Sequence, residues 1–156
     1  MAGMESTRLD FGILLMLASQ EFVIELREAL ARQGFEDQGR SDGYVFRALG
    51  AQPMTTSELA DRLEISKQGA AQIVDDMERR GLVERHPDPS DGRARLLHLS
   101  DKGRAALTAA RRFHQRFERK LVAEHGAEAV ATLRTLLTAI AGQEQAADPR
   151  FRALYL

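Results

Sequence analysis

Two glutamines four positions apart, Gln68 and Gln72, lie in a segment of helical spacing that begins at Ser66. At about 100° per residue they share one face of that helix, opposite a face of apolar side chains. A glutamine amide can pair with an adenine edge through two hydrogen bonds in the major groove of DNA. Lys67 and the free N–H groups at the start of the helix suit a phosphate. These residue types and their spacing indicate a helix that contacts duplex DNA.

Basic residues next to a polar turn form a second candidate contact. Leu82 to His86 and Arg95 to Leu99 are predicted as two short strands, joined by the turn-rich connection PDPSDGRA. Arg93 and Arg95 flank that turn, and a narrow, electronegative minor groove attracts arginine. Asp91 lies close enough in sequence to orient a guanidinium. The alternative interpretation is an ordinary solvated turn with incidental charge.

The elements around these residues form a recognisable series. Thr55 and Glu58 have the spacing of a capping box, so they predict the start of a short helix before a turn at Ile65. Ser66 is expected to cap the next helix, which runs to about Arg80 and ends at Gly81. A polar helix face alone is more simply explained as solvated surface. Two capped helices followed by a basic hairpin instead predict a winged helix-turn-helix that grips DNA.

Acidic side chains on the helix that begins at Ser66 are the main observation against DNA binding. Asp75, Asp76 and Glu78 would repel phosphates if they faced the DNA backbone. We expect them to lie beyond the contact, partly paired with Arg79 and Arg80.

Helical spacing on both sides of this segment predicts a mainly α fold with a small β-hairpin wing. The further predicted helices are Leu9 to Gln33, Tyr44 to Leu49 closed by Gly50, Asp101 to His125, and one after Gly126 in which Val130, Leu133, Leu137 and Ile140 recur. The predicted regions are an N-terminal dimerisation helix and loop (1–41), a winged helix-turn-helix (42–100), and C-terminal dimerisation helices with a tail (101–156).

Composition excludes several classes of function. The 156 residues include no cysteine, which removes disulfides, thiolate metal sites and cysteine nucleophiles. The four histidines are scattered, and no nucleophile–base pair or phosphate loop is evident, so we expect no enzyme, no metal site and no cofactor. No apolar run could span a bilayer and no basic signal-peptide region precedes one, so a cytoplasmic protein is expected.

The formal net charge of −1 gives no overall attraction to nucleic acid, so any attraction must be local. Near-neutral charge also leaves open a second function, a winged-helix module that binds another protein and not DNA.

Three segments together resemble the MarR family of bacterial transcription regulators: SELADRLEISKQGAAQIVDDMERRGLVER, the wing segment DPSDGRA, and LSDKG at the next helix. The resemblance implies a homodimer that binds a pseudo-palindromic operator, usually as a repressor. Ser66, Lys67, Gln68 and Gln72 fall on the family's recognition-helix positions, and Asp91 and Arg93 on its wing signature. Gly69 departs from the bulkier residue expected there.

Homodimerisation is also favoured by an argument from DNA geometry. One recognition helix reads only a few bases, whereas a dimer places two such helices about 34–36 Å apart, one turn of DNA. The apolar stripes of the terminal helices offer the surface that a dimer needs. The alternative is that these stripes are core within one chain.

The resemblance further implies a small-molecule effector that enters a cleft between the dimerisation and DNA-binding regions and releases DNA. The candidate lining residues are Phe22, Tyr44, Arg47 and Phe113. Arg47 could pair with a carboxylate and the aromatic rings could stack on a phenolic or aromatic ligand. The alternative is that the aromatics are core and Arg47 is a surface charge.

Overall fold

The computed structural model describes residues 8–147, and it is mainly α-helical with one antiparallel hairpin, as predicted. In chain order the elements are α1 (Phe11–Ala31), α2 (Asp42–Ala51), α3 (Thr56–Leu63), α4 (Lys67–Arg79), β1 (Val83–Asp88), β2 (Asp91–Leu99), α5 (Asp101–His125), α6 (Ala127–Ala141) and α7 (Gln143–Ala147). No helix within these residues is long and apolar enough to cross a membrane.

The chain divides into two compact units between Asp37 and Gln38. The first unit contains α1, which is slightly shorter than the predicted helix and whose last turn closes through the Phe35 N–H bond to the Leu30 carbonyl at 3.0 Å. Most of its large apolar side chains are exposed: Leu9, Phe11, Ile13, Leu14, Met16, Leu17, Val23 and Ile24.

The second unit has a continuous core built from α2, α3, α4, the hairpin and the first half of α5. Its apolar members are Val45, Phe46, Leu49, Met54, Leu59, Ala60, Leu63, Ala70, Val74, Met77, Leu82, Val83, Leu97, Leu99, Ala106, Ala109 and Phe113. The spacing of these residues explains the elements, because each helix turns its period-3.6 apolar face to this core. By contrast, α6 contains no buried residue.

Two helices differ from their predicted form. The predicted helix Tyr44 to Leu49 starts earlier and continues through Gly50, so Gly50 does not close it. A Cβ at Gly50 would overlap the side chain of Leu107, so α2 and α5 pack closely here. The short helix α7 was not predicted, and the predicted tail from residue 148 onward lies outside the described residues.

The wing strands are longer than predicted. They pair from Val83 with Leu99 to Pro87 with Arg95, and the next pair is Asp88 with Asp91. The connection is therefore a two-residue turn plus a bulge at 92–94, and the prediction of an eight-residue connection was wrong. The cause is local, because the Asp88 carboxylate accepts the Ser90 N–H at 2.8 Å and so closes the turn early.

The segment predicted as a linker, 52–54, also joins the sheet. The Leu97 N–H donates to the Met54 carbonyl at 2.8 Å, and Met54 is buried. The start of α3 is therefore attached to β2.

Candidate nucleic-acid interface

Two side-chain caps fix the helix-turn-helix. Thr55 and Glu58 form the predicted capping box, in which the Glu58 N–H donates to Thr55 Oγ1 at 3.3 Å and the Thr55 N–H to Glu58 Oε2 at 2.7 Å. Ser66 Oγ accepts the Gly69 N–H at 3.0 Å and begins α4. Between the helices, Glu64 has a left-handed backbone with φ +51°, which reverses the chain. The predicted helix-turn-helix is confirmed.

The helix α4 has the two faces expected from its sequence. Ala70, Val74 and Met77 are fully buried, whereas Gln68 and Gln72 are exposed. Ser66 and Lys67 are exposed at its N-terminal end. A Cβ at Gly69 would lie 3.2 Å from Ser66 Oγ, so the glycine gives the capping hydroxyl room.

The C-terminal end of α4 is attached to the start of α5. Gly81 has φ +73°, and beyond it the Leu82 N–H bonds to the Met77 carbonyl at 2.9 Å. Ser100 Oγ donates to the Gly81 carbonyl at 2.5 Å and Lys102 Nζ to the Arg80 carbonyl at 3.0 Å. These two residues belong to the LSDKG segment, so part of that segment holds the end of α4 in place.

A buried ion pair attaches the same end of α4 to α2. The Arg80 guanidinium donates to both carboxylate oxygens of Asp42 at 2.6 and 2.8 Å, and Asp42 is only 2% exposed. Asp42 Oδ2 also accepts the Gly39 N–H at 2.9 Å. The bonds to Asp42 raise the pKa of Arg80 far above its ordinary value. This pair was not predicted from the sequence, because nothing in the local pattern connects residues 38 positions apart.

The acidic residues of α4 are paired, although partly with other partners than expected. Asp76 pairs with Arg79 at 3.3 Å and with Arg80 at 2.6 Å, as predicted. Asp75 and Glu78 instead pair with Arg85 of β1, at 2.6 and 3.5 Å. An arginine of the wing thus offsets the negative charge on the adjoining turns of α4.

The wing bulge presents Arg93 to solvent. Asp91 Oδ1 accepts the backbone N–H of Arg93 at 3.0 Å, so this carboxylate holds the main chain of the bulge and not, as predicted, the guanidinium. On the other strand, bonds from the Ser90 N–H and hydroxyl lower the pKa of Asp88, because they favour the ionised carboxylate.

The exposed cationic and amide groups have spare hydrogen-bonding capacity. Within the described part of the chain, the side chains of Lys67, Gln68, Gln72, Arg93 and Arg95 make no hydrogen bond or ion pair. Polar groups of α4 and of the wing are therefore presented to solvent.

The predicted ligand-lining residues are distributed over three helices. Phe22 lies on α1 in the first unit, Tyr44 and Arg47 lie on α2, and Phe113 lies on α5 as part of the core. Burial raises the pKa of the Tyr44 phenol. Arg47 lines a cleft of about 700 Å³ between α2, α5 and α6, and neither Tyr44 nor Phe113 belongs to its lining.

Two of the four histidines, which lie in the two predicted strands of the wing, meet on the hairpin. The rings of His86 and His98 lie 4.7 Å apart between centroids, and His86 Nε2 is 3.0 Å from Glu84 Oε2. Even so, residues 8–147 hold no group of three or more potential ligands arranged for a metal ion.

A capped helix-turn-helix, an exposed polar helix face and a hairpin wing define a winged helix-turn-helix protein. A model of the MarR family matches residues 36–94, which spans α2 through the bulge of the wing. The winged helix-turn-helix segment of the chain is therefore similar to that of the MarR family.

Known proteins that are similar to this chain in sequence or structure include transcription regulators. Over 120 residues the chain is 27% identical to the exopolysaccharide II synthesis transcriptional activator ExpG of Rhizobium meliloti. This match covers 77% of this chain and 61% of ExpG. The chain spans between 48% and 61% of the length of the curated relatives that it matches.

Two similar solved structures contain DNA. The transcriptional repressor CouR, bound to a 23-mer duplex, is 28% identical with a TM-score of 0.68, covering 91% of this chain and 99% of that one. Streptococcus pneumoniae FabT in complex with DNA is 25% identical with a TM-score of 0.70, covering 83% and 90% of the two chains.

Proposed function

We propose that this protein is a homodimeric, sequence-specific DNA-binding transcription regulator of the cytoplasm, and that it acts as a repressor released by a small molecule. The observation that carries the proposal is the outer face of α4, where Gln68 and Gln72 are exposed and make no bond to the described residues. Amides that are exposed and unbonded can form hydrogen bonds with base edges. Both ends of α4 are also held in place, which a polar helix face that served only for solvation would not need.

Each contact has a distinct role in this proposal. Gln68 and Gln72 read bases in the major groove, and Ser66 and Lys67 at the N-terminal end of α4 bind a phosphate. Arg93 and Arg95 of the wing enter the minor groove or bind its phosphates, while Asp91 holds the bulge that presents Arg93. Similarity to CouR and FabT, both solved with DNA, supports this assignment.

The proposal of a dimer is supported by apolar surface in both units. On α6, Leu136 and Ile140 are 53% and 60% exposed, and on α1 Phe11 is 65% exposed. Large side chains at such exposure mark interaction surfaces when they recur along one helix. A second copy would cover them and set the spacing of two recognition helices.

The proposed regulator would repress transcription and would be released from DNA by a ligand. One relative is named a repressor and another an activator, and we propose repression with release by an aromatic or phenolic ligand. Tyr44 and Arg47 of α2 are the proposed ligand residues, in which Arg47 binds a carboxylate and the Tyr44 ring stacks.

The decisive experiment is a salt titration of binding to the DNA upstream of this protein's gene, with a scrambled duplex as control. Tight binding that prefers the upstream fragment and falls steeply with salt is expected, because bound phosphates release counterions. Equal, weak binding to both duplexes, followed by failure on a pool of genomic fragments, would contradict DNA-binding function.

That failure would favour the second candidate, a winged-helix module that binds a protein. The observation in its favour is the net charge of −1, which supplies no general attraction to DNA. Such a module would bind DNA weakly and with little dependence on salt.

A further inference from the structure

Gly69 is the third residue of α4, and neither the backbone nor the helix cap requires a glycine there. Glycine inside a helix is less favourable than alanine, and the φ of Gly69 is not in the positive range that would favour glycine. In α3 the residue at the same position after the cap is Glu58, whose N–H donates to Thr55 Oγ1. The Gly69 N–H donates to Ser66 Oγ in the same way. A long side chain therefore fits this type of cap.

Packing around Gly69 also tolerates a larger residue. A Cβ at this position would lie 3.2 Å from Ser66 Oγ, a side-chain atom that a small shift can move, and 3.8 Å from Ile65 Cδ1, which is an ordinary contact. At Gly103 of α5, by contrast, an added Cβ would overlap the backbone oxygen of Leu82. The fold therefore explains the glycine at position 103, whereas the glycine at position 69 calls for another reason.

The missing side chain leaves a small hollow on α4, the Gly69 notch, which is lined by Ile65, Gly69, Gln72 and Ile73. The notch is one end of a cavity of about 610 Å³ beside the helix. Both isoleucines are half-buried, so part of each aliphatic side chain remains accessible, and Gln72 is exposed next to them. At the other end of the cavity Arg80 pairs with Asp42 and Asp76, so those charges are compensated within the protein.

An apolar notch beside a glutamine matches one chemical group on the edge of a base pair. In the major groove the bases present hydrogen-bond donors and acceptors, and their one apolar substituent is the 5-methyl group of thymine. Covering that methyl with aliphatic side chains is favourable, whereas a polar base group placed there would lose its water without gaining a partner. The notch therefore favours thymine over the other bases.

We propose that the Gly69 notch receives the 5-methyl group of one thymine in each operator half-site, and that Gly69 is a specificity-determining residue. This inference rests on the proposed function above, in which α4 lies in the major groove and Gln72 reads an adjacent base. An alanine at position 69 would place its own methyl group close to Ile65 and Ser66, where the thymine methyl would lie. Glycine thus leaves to the DNA a space that the protein could fill itself.

The test is a deoxyuridine scan of the operator, in which each thymine of one half-site is replaced in turn and binding of the full chain is titrated. Deoxyuridine deletes the 5-methyl group and keeps every hydrogen-bonding group of the base. At one thymine position the replacement should weaken binding about threefold to fivefold, the worth of one buried methyl group. A parent protein that is indifferent to deoxyuridine at every position would overturn the proposal.

A protein variant assigns the sensitive thymine to the notch. Gly69→Ala should bind the thymine operator about threefold or more weakly than the parent does, and should no longer distinguish thymine from deoxyuridine at that position. Gly43→Ala, which adds the same methyl group to α2 in open space, should keep the discrimination of the parent. Circular dichroism and thermal unfolding show that both variants are folded. An equal effect of deoxyuridine on the parent and on Gly69→Ala at every position would overturn the proposal.

The outcomes for the notch and for the proposed regulator are distinguishable. If the parent selects an operator but Gly69→Ala discriminates thymine from deoxyuridine as the parent does, the notch proposal falls and the regulator stands. If no DNA fragment is selected over scrambled duplex, both proposals fall. Loss of discrimination in Gly69→Ala alone, with Gly43→Ala unchanged, supports both.

Discussion

At the scale of single residues, Gln72 and Arg93 are exposed on different elements and are assigned different contacts. Gln72→Ala should relax base preference at one operator position, at a cost of about 1–3 kcal/mol there, because only a base contact carries sequence information. Arg93→Ala should weaken binding to all sequences and reduce the slope of log affinity against log salt by about 1 if Arg93 binds a phosphate.

Both effects are measured by titrating the operator and its single-base variants at several salt concentrations. Gln115→Ala and Arg112→Ala, exposed on α5, are the matched controls and should behave like the parent. Parent-like affinity and selectivity in Gln72→Ala and Arg93→Ala would show that the assigned contacts are wrong.

His114 makes stability depend on pH in a defined direction. Its pKa is lowered in the folded protein by desolvation and by Arg47, whereas in the unfolded chain it is about 6.5. Between these two values the unfolded chain binds the proton first, so stability is highest above the unfolded pKa and falls as pH decreases through this window. Below the folded pKa this contribution levels off.

His114→Gln should therefore flatten the pH dependence of stability, measured by urea unfolding at a series of pH values. His125→Gln, at the exposed end of the same helix, is the control. Parallel stability curves for the parent and the His114 variant would refute the assignment.

The exposure of individual residues was largely predictable from periodicity. Gln68 and Gln72 point outward because Ala70, Val74 and Met77 occupy the buried face of the same helix. The pair between Asp42 and Arg80 could not be predicted, since it depends on how α2 packs against α4 and not on any local spacing.

At the scale of elements, α4 is held at its C-terminal end by side chains from α2 and α5. Asp42→Asn removes the charge that faces Arg80 while keeping an oxygen for the Gly39 N–H. We expect a loss of about 1.5–3 kcal/mol of unfolding free energy, the usual worth of a hydrogen bond to a charged group. Arg80 keeps Asp76 as a partner, which limits the loss.

Urea unfolding at fixed protein concentration measures this effect. Asp75→Asn is the control, because its pair with Arg85 is more exposed and should contribute less than about 1 kcal/mol. Equal losses in both variants would show that burial of the Asp42 pair adds nothing to its strength.

Close packing of α5 against the end of α4 gives a second prediction at this scale. A Cβ at Gly103 would overlap the Leu82 carbonyl oxygen, a backbone atom that cannot move freely. Gly103→Ala should therefore destabilise the fold by about 1–3 kcal/mol through overpacking.

Gly43→Ala is the matched control for Gly103→Ala. Gly43 is also in a helix, but an added Cβ meets nothing within 4 Å, so this change should stabilise by up to about 1 kcal/mol through helix propensity. Thermal unfolding distinguishes the two, and a stabilised Gly103 variant would contradict the packing described for the LSDKG segment.

Element boundaries followed from the sequence where a side-chain cap is present, and also at Gly126, which separates α5 from α6. Thr55, Ser66 and Ser100 each cap a helix at its N-terminal end, and all three starts were predicted correctly. The wing was predicted too short, because the hydrogen bonds of Asp88 and Asp91 in the turn and bulge shorten the connection in a way that turn composition alone does not show.

At the scale of the whole molecule, the second unit buries one face of α5 but no residue of α6. Sequence periodicity identified the apolar stripe of α6 correctly but left two interpretations, core within the chain or surface for a partner. The exposure of Leu136 and Ile140 favours a partner, since covering the half of each side chain that stays in water would contribute about 1 kcal/mol per residue.

Ile140→Glu should therefore convert the proposed homodimer to a monomer, measured by sedimentation across protein concentrations. Thr135→Glu places the same charge on an exposed, non-apolar position of α6 and should leave the mass unchanged. The monomer should remain folded, because Ile140 is 60% exposed in the single chain and contributes little to its core.

Loss of the dimer should reduce operator affinity far more than loss of any single contact. In a dimer the second recognition helix binds its half-site at a high effective concentration, and this advantage, of about 10²–10⁴ in affinity, disappears when the copies separate. Binding to a single half-site should change little, because Gln68, Gln72 and the wing remain intact in each copy. A monomeric variant with unchanged operator affinity would show that two linked winged helices are not required.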